Sequence, residues 1–380
     1  MGSRPHVTVV GVLGALLALG VACSSSAPSG APSKAPAAQP AATAPPAAPT
    51  APSAPAASAP TAAPAPATVR MGCIQGTSDA GIFIAEERGY FREQGVALDC
   101  TNFVSATEMV APLASGQLDV GGGAPSAGLG NALARGITLK IVADKGSTPP
   151  GFGYAGIVIR KDLWDSGVRT PADLRGHRVS LNTVAGSSME AALNRALGDY
   201  GMTTADVELV PLAFPDMPPA LANRSVDAIY PIEPFVVLSV ELGNGSLWAR
   251  TDEWYPGEQI AVLLYSRDFA EQQRDVGRRY MTAYLRALRD YNDAFLKGDP
   301  AKRREVVDIL IRNTPLKDAA LYEKMAMPGL DPNGRVNLQA LEQDQEYYLR
   351  TGKQQQPIDL SQVVDTSFAE WAVQQLGVYR

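Results

Sequence analysis

The sequence has few of the residues with which proteins bind metals or perform catalysis. It contains two histidines and three cysteines among 380 residues, and no Cys-x-x-Cys or His-x-x-x-His spacing occurs. His6 lies in a segment that we expect to be removed, and the remaining His177 cannot form a two-histidine metal site by itself. The glycine-rich run 121–125 lacks the Gly-Lys-Ser/Thr ending of a phosphate-binding loop. We therefore expect no metal, no cofactor and no enzymatic activity.

Clustered basic residues and long apolar runs are also scarce. Lys and Arg number 33 against 39 Asp and Glu, which gives a formal net charge of −6. Nucleic acid is an unfavourable partner for such a chain, because phosphate binding needs clustered Lys and Arg. After the first 22 residues, no segment of the sequence is apolar and long enough to span a bilayer.

The N-terminal residues indicate export. Arg4 and His6 precede an apolar run, Val7 to Val21, which is too short for a spanning helix of about 20 residues and fits a signal peptide. The segment LALGVAC, which ends at Cys23, resembles a bacterial lipobox, although Gly20 stands where Leu is usual. We predict a lipoprotein signal peptide over 1–22 and lipidation of Cys23, which would anchor the protein to the outer side of the cell membrane. The alternative is an ordinary secretory signal with an incidental cysteine.

The next segment has the composition of a tether. Residues 24–67 consist almost entirely of Ala, Pro, Ser and Thr, with Lys34 as the only charge and no aromatic residue. Such a composition does not build a packed core. We therefore expect residues 23–67, which begin at the lipidated cysteine, to form a disordered linker.

Two stretches of the remaining chain follow one template. Leu113 and Ala114 precede Asp119 as Leu221 and Ala222 precede Asp227, and short small or apolar runs follow both aspartates. Six residues beyond each Asp stand Pro125 and Glu233, respectively. A unit used twice suggests two similar lobes, each offering a loop to a shared cleft.

Predicted strands and helices alternate in both copies, which is typical of parallel α/β layers. We expect the first lobe over 68–162, the second over 163–258, and a return to the first over 259–380, where the chain becomes mainly helical. Two extended segments, YAGIVIRKD and IAVLLYSRD, join the copies, and we expect both in the sheet of the first lobe.

Cys73 and Cys100 lie in the C-terminal parts of the first two predicted strands, which should be neighbours. In an oxidising compartment such a pair often forms a disulfide. Two buried free thiols are the alternative, and the sequence leaves both possibilities open.

Four segments carry a resemblance to a known family: IFIAEERGYFREQGV, LASGQLDVGGGAPSA, TPADLRGHRVSL and ALANRSVDAIYPIEPF. They resemble the periplasmic binding proteins for nitrate, sulfonates, taurine and thiamine-pyrimidine precursors, which feed ABC importers. The resemblance implies an α/β, two-lobed type II fold, with two crossovers between mostly parallel sheets and a helical C-terminal part. It also implies a small-molecule ligand, an ABC permease with its ATPase as partners, and a monomer.

Ligands of open parallel sheets lie beyond the carboxyl ends of strands, where helix N-termini offer unpaired N–H groups. The family's binding positions fall on the same loops. The candidate residues of the first lobe are Gln75, Thr77, Ser78, Asp79, Ser105, Thr107, Ala124, Pro125 and Ser126. Those of the second lobe are Asn182, Thr183, Gly186, Ser187, Ser188, Phe214, Tyr230 and Glu233.

Some of these candidates have a structural alternative. Ser105, Ser187 and Asp79 could be helix caps only, and Phe214 and Tyr230 could be core residues. Ser105 with Glu108, and Ser187 with Glu190, have capping-box spacing.

The charges of the loops favour one kind of ligand. No Arg or Lys occurs on them, whereas Asp79 and Glu233 favour hydrogen-bond donors. The sequence thus favours a nitrogen-containing, pyrimidine-like ligand over sulfonate or nitrate, although helix N-termini alone can hold anions.

Two other functions remain open at the level of sequence. A surface sensor or adhesin could use the same fold without transport. A pyrimidine synthase related to the family is a weaker alternative, because nothing here resembles its Cys-rich motif.

Overall fold

A computed structural model describes residues 66–74, 76–103 and 106–380. The predicted signal peptide, Cys23, nearly all of the tether, Gln75 and Ser105 lie outside these ranges. Within them, no helix is both long and apolar enough to cross a membrane.

The strands of the described residues form two sheets. In chain order they are β1 (Ala67–Cys73), β2 (Val96–Asn102), β3 (Val120–Gly123), β4 (Leu139–Ser147), β5 (Gly156–Arg160), β6 (Arg178–Leu181), β7 (Glu208–Pro211), β8 (Ala228–Ile229), β9 (Gly245–Arg250) and β10 (Gln259–Ser266).

Helices cover the sheets and make up most of the C-terminal part. They are α1 (Ala80–Glu87), α2 (Tyr90–Glu93), α3 (Val110–Ala114), α4 (Ala127–Ala134), α5 (Lys161–Ser166), α6 (Ser188–Gly198), α7 (Met217–Ala222), α8 (Phe235–Glu241), α9 (Thr251–Trp254), α10 (Arg267–Glu271), α11 (Arg274–Phe295), α12 (Pro300–Asn313), α13 (Leu338–Arg350), α14 (Leu360–Val363) and α15 (Ser367–Leu376). Short 3-10 helices span Thr77–Asp79, Ala106–Met109, Pro171–Leu174, Thr204–Asp206, Phe214–Asp216 and Ala319–Glu323.

The first sheet has the order β2-β1-β3-β10-β4. β1 is parallel to β2 and β3, whereas β10 runs antiparallel to both of its neighbours. The long helix α11 buries Met281, Leu285 and Leu288 at helical spacing in the core that packs on this sheet. We call this sheet with its helices, residues 66–147 and 259–380, lobe one.

The second sheet has the equivalent order β7-β6-β8-β5-β9. β6 is parallel to β7 and β8, and β5 is the antiparallel strand in the position that β10 occupies in the first sheet. We call this sheet with its helices, residues 156–250, lobe two. The crossovers between the lobes are 148–155 and 251–258.

The expectation that YAGIVIRKD lies in the first sheet is therefore wrong, and the sheets divide the chain before β5 rather than at residue 162. β5 is buried along most of its length, so its composition fits the interior of either sheet. Its partners β8 and β9 follow about 70 to 90 residues later in the chain, and only the pairing decides which sheet it joins. IAVLLYSRD forms β10 of the first sheet, as expected.

Cys73 and Cys100 form a disulfide, with their Cα atoms 6.2 Å apart. They lie on β1 and β2, which are adjacent parallel strands in a register that pairs Met71 with Cys100. The bond therefore links neighbouring strands at the edge of the first sheet.

Candidate functional site

The loops that follow the parallel strands of the two lobes meet each other directly. The N–H of Ala127 donates to the carbonyl of Gly186 at 2.8 Å, and the N–H of Ser188 donates to the carbonyl of Pro125 at 3.2 Å. Ser126 and Ser187 form an antiparallel bridge between these contacts. The mouth of the cleft is thus closed by backbone hydrogen bonds at this point.

A serine at the end of each of these two loops caps the helix that follows it. Ser126 accepts a hydrogen bond from the N–H of Leu129 at the start of α4, and Ser187 accepts one from the N–H of Glu190 at the start of α6. Ser187 and Glu190 form only half of the expected capping box. The Glu190 carboxylate instead accepts from the N–H of Gly186 at 2.9 Å.

A cavity of about 40 Å³ lies between the lobes. This is room for only a few water molecules, each of which needs roughly 10–15 Å³. Each lobe with its adjoining crossover contributes six residues to the wall, which comprises Ile74, Ser78, Ala124, Lys145, Ile260 and Ala261 on one side and Tyr154, Asn182, Ser187, Met189, Phe214 and Ile232 on the other.

Five residues of this wall were candidates from the sequence: Ser78, Ala124, Asn182, Ser187 and Phe214. The other described candidates are not in the wall; they are Thr77, Asp79, Thr107, Pro125, Ser126, Thr183, Gly186, Ser188, Tyr230 and Glu233. The structure therefore brings the predicted loops together, but only part of the predicted side chains line the cavity.

Several of the remaining candidates hold the loops in position. Thr77 donates from its hydroxyl to the carbonyl of Glu233 at 3.2 Å, and Ser188 donates to the carbonyl of Ile260 at 3.2 Å, so both bonds cross between lobes. Thr183 accepts from the N–H of Ala185 within its own loop. Thr107 lies half-buried in the 3-10 helix Ala106–Met109.

Asp79 is fully buried beside a lysine that the sequence interpretation missed. Its Oδ1 lies 2.5 Å from Nζ of Lys145, and its Oδ2 accepts from the N–H of Ile74 at 3.0 Å. Lys145 comes from β4, has no exposed side-chain surface and also donates to Oγ of Ser78 at 3.3 Å. A basic group therefore does reach the cleft, although none stands on the loops.

Glu233 is also paired within the protein. Nη1 of Arg250 lies 2.9 Å from its Oε1, and the N–H of Val237 donates to its Oε2 at 3.0 Å. The side chain is fully buried. Burial raises the pKa of Glu233, although the Arg250 guanidinium and the N–H groups of α8 and of Ala326 oppose that shift. Its bonds join β9 to the N-terminus of α8.

The two aromatic candidates differ. Tyr230 belongs to the core of lobe two, where its hydroxyl lies 2.6 Å from that of Thr251. Phe214 is 95% buried, lines the cavity and stacks on Phe235 with ring centroids 6.3 Å apart.

The glycines after Asp119 lie in the strand β3. Close packing explains why glycine is needed there. A Cβ atom on Gly121 would lie 2.7 Å from Cδ1 of Leu113, and one on Gly122 would lie 2.2 Å from Cε of Lys145. Gly122 thus leaves the space through which the Lys145 side chain passes.

A weak signal for Lys145 was present in the sequence. Asp144 and Lys145 directly follow the apolar residues 141–143 (IVA) in a segment that is typical of a buried strand. Charged residues in a buried strand are rare unless they are paired. The remaining wall residues outside the predicted set are mostly apolar and carry no such signal.

Two α/β lobes that enclose a cavity at their facing sheet ends define a two-lobed periplasmic-binding-protein fold. The sequence profile of the NMT1-like family matches residues 62–311, more than half of the chain, so the protein belongs to that family.

Known proteins of this type are similar to the chain along most of its length. A Bacillus subtilis (strain 168) protein named for binding aliphatic sulfonates is 24% identical over 81% of this chain and 88% of its own. The alkanesulfonate-binding protein SsuA from Xanthomonas axonopodis pv. citri, solved with MOPS, has a TM-score of 0.64 at 20% identity, covering 80% of this chain and 99% of that one. The nitrate-binding protein NrtA from Synechocystis PCC 6803 has a TM-score of 0.65 at 16% identity, covering 83% and 91%. At these identities, the two solved structures establish the shared fold.

Proposed function

We propose that this protein captures a small molecule between its lobes and delivers it to an ABC importer without altering it. One observation carries the proposal. A cavity lies at the carboxyl ends of the parallel strands of both sheets, and each lobe contributes half of its wall residues. Ligands of open α/β sheets bind at such ends. Membership of the NMT1-like family and the likeness to sulfonate- and nitrate-binding proteins support the same function.

The ligand, we propose, is an uncharged nitrogen-containing molecule of the pyrimidine-like kind rather than a sulfonate or nitrate. The sequence favoured such a ligand because Asp79 and Glu233 could accept hydrogen bonds from it. That reason does not apply, because both carboxylates are ion-paired within the protein. The cavity wall supplies another reason. Lys145 has a third N–H beyond its two partners, and Oδ1 of Asn182 is buried without a hydrogen-bond partner among the described residues.

A ligand with one acceptor and one donor on an apolar ring fits this wall. Ile74, Phe214, Met189 and Ile232 offer the apolar surface. Because the cavity is only about 40 Å³, a ring-sized ligand requires the lobes to move apart and then to close around it, as a hinge at the two crossovers allows.

The experiment is native mass spectrometry of the freshly purified protein, followed by thermal shifts with pyrimidines, taurine, other sulfonates, nitrate and aromatic acids. We expect an uncharged pyrimidine-like compound to raise the melting temperature and N182A to abolish that shift. S225A, on an exposed turn of lobe two, serves as the matched control. Binding of no compound at the cleft, or chemical conversion of a bound compound, would contradict the proposal.

We also propose that Cys23 carries a lipid and that residues 24–67 tether the protein to the membrane. The lipobox-like segment and the Ala/Pro/Ser composition support this. Metabolic labelling with a palmitate analogue should mark the wild-type chain and not C23A. Equal labelling of both chains, or wild-type protein released entirely into the soluble fraction, would argue against the anchor.

A further inference from the structure

The ion pair of Lys145 and Asp79 is the only pair of opposite charges that reaches the cavity wall within the described residues. Both side chains are fully buried, and their charged atoms are 2.5 Å apart. Of the twelve wall residues, Lys145 alone carries a charge. The electrostatic character of the cavity therefore depends on how far Asp79 neutralises this one ammonium group.

Both partners are held in fixed positions. Oδ2 of Asp79 accepts from the backbone N–H of Ile74 at 3.0 Å, while Ser78 accepts from Lys145 at 3.3 Å. The stem of Lys145 passes against Gly122, where a Cβ atom would lie 2.2 Å from Cε. Neither side chain can swing away to solvent without disturbing β1 or β3.

An anion that entered this cavity would gain little from Lys145. It would lose its hydration and would then meet an ammonium group that already has a carboxylate partner, with the carboxylate itself a short distance behind. An uncharged ligand with a hydrogen-bond acceptor loses less hydration and needs only the remaining N–H of Lys145.

We infer that Asp79 is a built-in counter-ion for Lys145, and that this pair makes the cleft select uncharged ligands bearing a hydrogen-bond acceptor over anions. The inference rests on the proposed function of the cleft. Asp79 is thus a specificity-determining residue although it does not line the cavity, because it acts on the ligand through Lys145.

The test uses the full chain purified in detergent and two small anions, nitrate and methanesulfonate. Calorimetry should show that D79N binds at least one of them about tenfold or more tightly than wild type does, since the substitution releases the charge of Lys145. The double variant D79N/K145M should lose that gain. D119N is the matched control, because Asp119 is an ion-paired carboxylate outside the cavity wall, and it should bind the two anions with the same affinity as wild type.

Removal of a buried partner can prevent folding, so a second measurement accompanies the first. If D79N is unfolded without additives, nitrate or methanesulfonate should restore its thermal transition, whereas the same concentration of uncharged dimethyl sulfone should not. Failure of both anions to bind or restore D79N overturns the inference.

Equal anion affinity in wild type and D79N, abolished in both by K145M, also overturns the inference. That result would leave the proposed capture function intact with an anionic ligand. Absence of any ligand for the wild-type cleft would instead contradict the proposed function.

Discussion

Asp227 accepts hydrogen bonds from the backbone N–H and from Nη2 of Arg178, both at 2.9 Å and across 49 residues of sequence. Asp119 accepts the same two bonds from Arg70, also across 49 residues, at 2.9 and 2.5 Å. Each pair joins two adjacent parallel strands, β6 with β8 and β1 with β3. In each lobe, the duplicated Asp thus stabilises the sheet by linking two neighbouring parallel strands.

We expect D227N to destabilise the protein more than D119N does. Asp227 also pairs with Arg160, whereas Arg70 is the only ion-pair partner of Asp119 among the described residues. Hydrogen bonds to charged groups contribute about 1.5–3 kcal/mol each, but the partner side chains of Arg70 and Arg178 are partly exposed, which weakens these bonds. We therefore expect losses in the free energy of unfolding of roughly 2 kcal/mol for D227N and 1 kcal/mol for D119N, measured by urea denaturation. Equal losses would mean that Arg160 adds nothing.

D227N should also change how the free energy of unfolding depends on pH. Burial acts to raise the pKa of Asp227, but the bonds from Arg178 and Arg160 outweigh it and hold the pKa well below its usual value. Such a carboxylate stabilises the folded state above its unfolded-state pKa, about 4, and this contribution is lost as the pH falls through the folded-state pKa. The stability gap between wild type and D227N should therefore narrow at acidic pH.

Gly122→Ala should displace Lys145. The new methyl group would lie 2.2 Å from Cε and 2.6 Å from Cδ of that side chain, and overpacking of this kind costs about 1–3 kcal/mol. The free energy of unfolding and the affinity for a ligand of the cleft should both fall. G198A is the control, because a Cβ atom on Gly198 of α6 meets nothing within 4 Å. Unchanged ligand affinity in G122A would mean that Lys145 does not contact the ligand.

Glu190→Gln should weaken the closed arrangement of the lobes. Glu190 of α6 pairs with Lys353 and accepts from the hydroxyl of Tyr347 at 2.9 Å. These two residues are held to lobe one, where Asn131 of α4 donates to the carbonyl of Lys353 at 2.7 Å. Loss of the charge on Glu190 should shift the protein towards an open form, seen as a larger radius of gyration in small-angle scattering.

K353M should reproduce the effect of E190Q, and ligand affinity should fall in proportion to the closed fraction. The control E323Q removes an exposed ion pair with Arg303 in the C-terminal part. It should change neither the radius of gyration nor the ligand affinity. Scattering curves of E190Q and K353M that superimpose on the wild-type curve would argue against a role of the Glu190–Lys353 ion pair in holding the lobes closed.

Glu233→Gln should reduce stability more than ligand affinity. The carboxylate is fully buried, paired with Arg250 and absent from the cavity wall, and breaking a buried pair costs about 3–5 kcal/mol. We expect calorimetry to give a dissociation constant within about twofold of wild type, while the free energy of unfolding falls by that amount. A loss of affinity as large as that of N182A would support the direct contact predicted from the sequence.

Glu258 and Asp344 should make stability fall with rising pH. Both carboxyl groups are buried, Glu258 in the second crossover and Asp344 on α13, and neither oxygen of Glu258 has a hydrogen-bond partner among the described residues. Burial raises the pKa of each, and the Asp344 carboxylate raises that of Glu258 further, while Arg195 lowers both and a hydrogen bond from Tyr255 lowers that of Asp344. Because these pKa values are higher in the folded state, the contribution is present below the unfolded-state pKa and is lost as pH rises through the folded-state pKa.

E258Q should therefore unfold at higher urea concentration than wild type at about pH 8, and the difference should shrink at about pH 4. The control is E342Q, at an exposed position of the same helix as Asp344. A wild-type stability that rises between these two pH values, with E258Q following it, would contradict the expected sign.

Much of the fold was predictable because the signals are local. Alternating strands and helices, the repeated Asp unit and the helix cap at Ser187 are set by residues a few positions apart. These patterns predicted two lobes and the loops that meet between them. The partners of side chains were not predictable, since Asp79 and Lys145 are 66 positions apart and Glu233 and Arg250 belong to different elements.

The sequence by itself determined that this protein has two similar α/β lobes and that the loops after their parallel strands face one cleft, because backbone propensity and apolar patterning act over short distances. Only the tertiary structure decided that β5 joins the second sheet and that the carboxylates expected to receive a ligand are already bound by Lys145 and Arg250. The charge that a ligand meets depends on which buried groups lie within a few ångströms of each other, and chain folding alone brings those groups together.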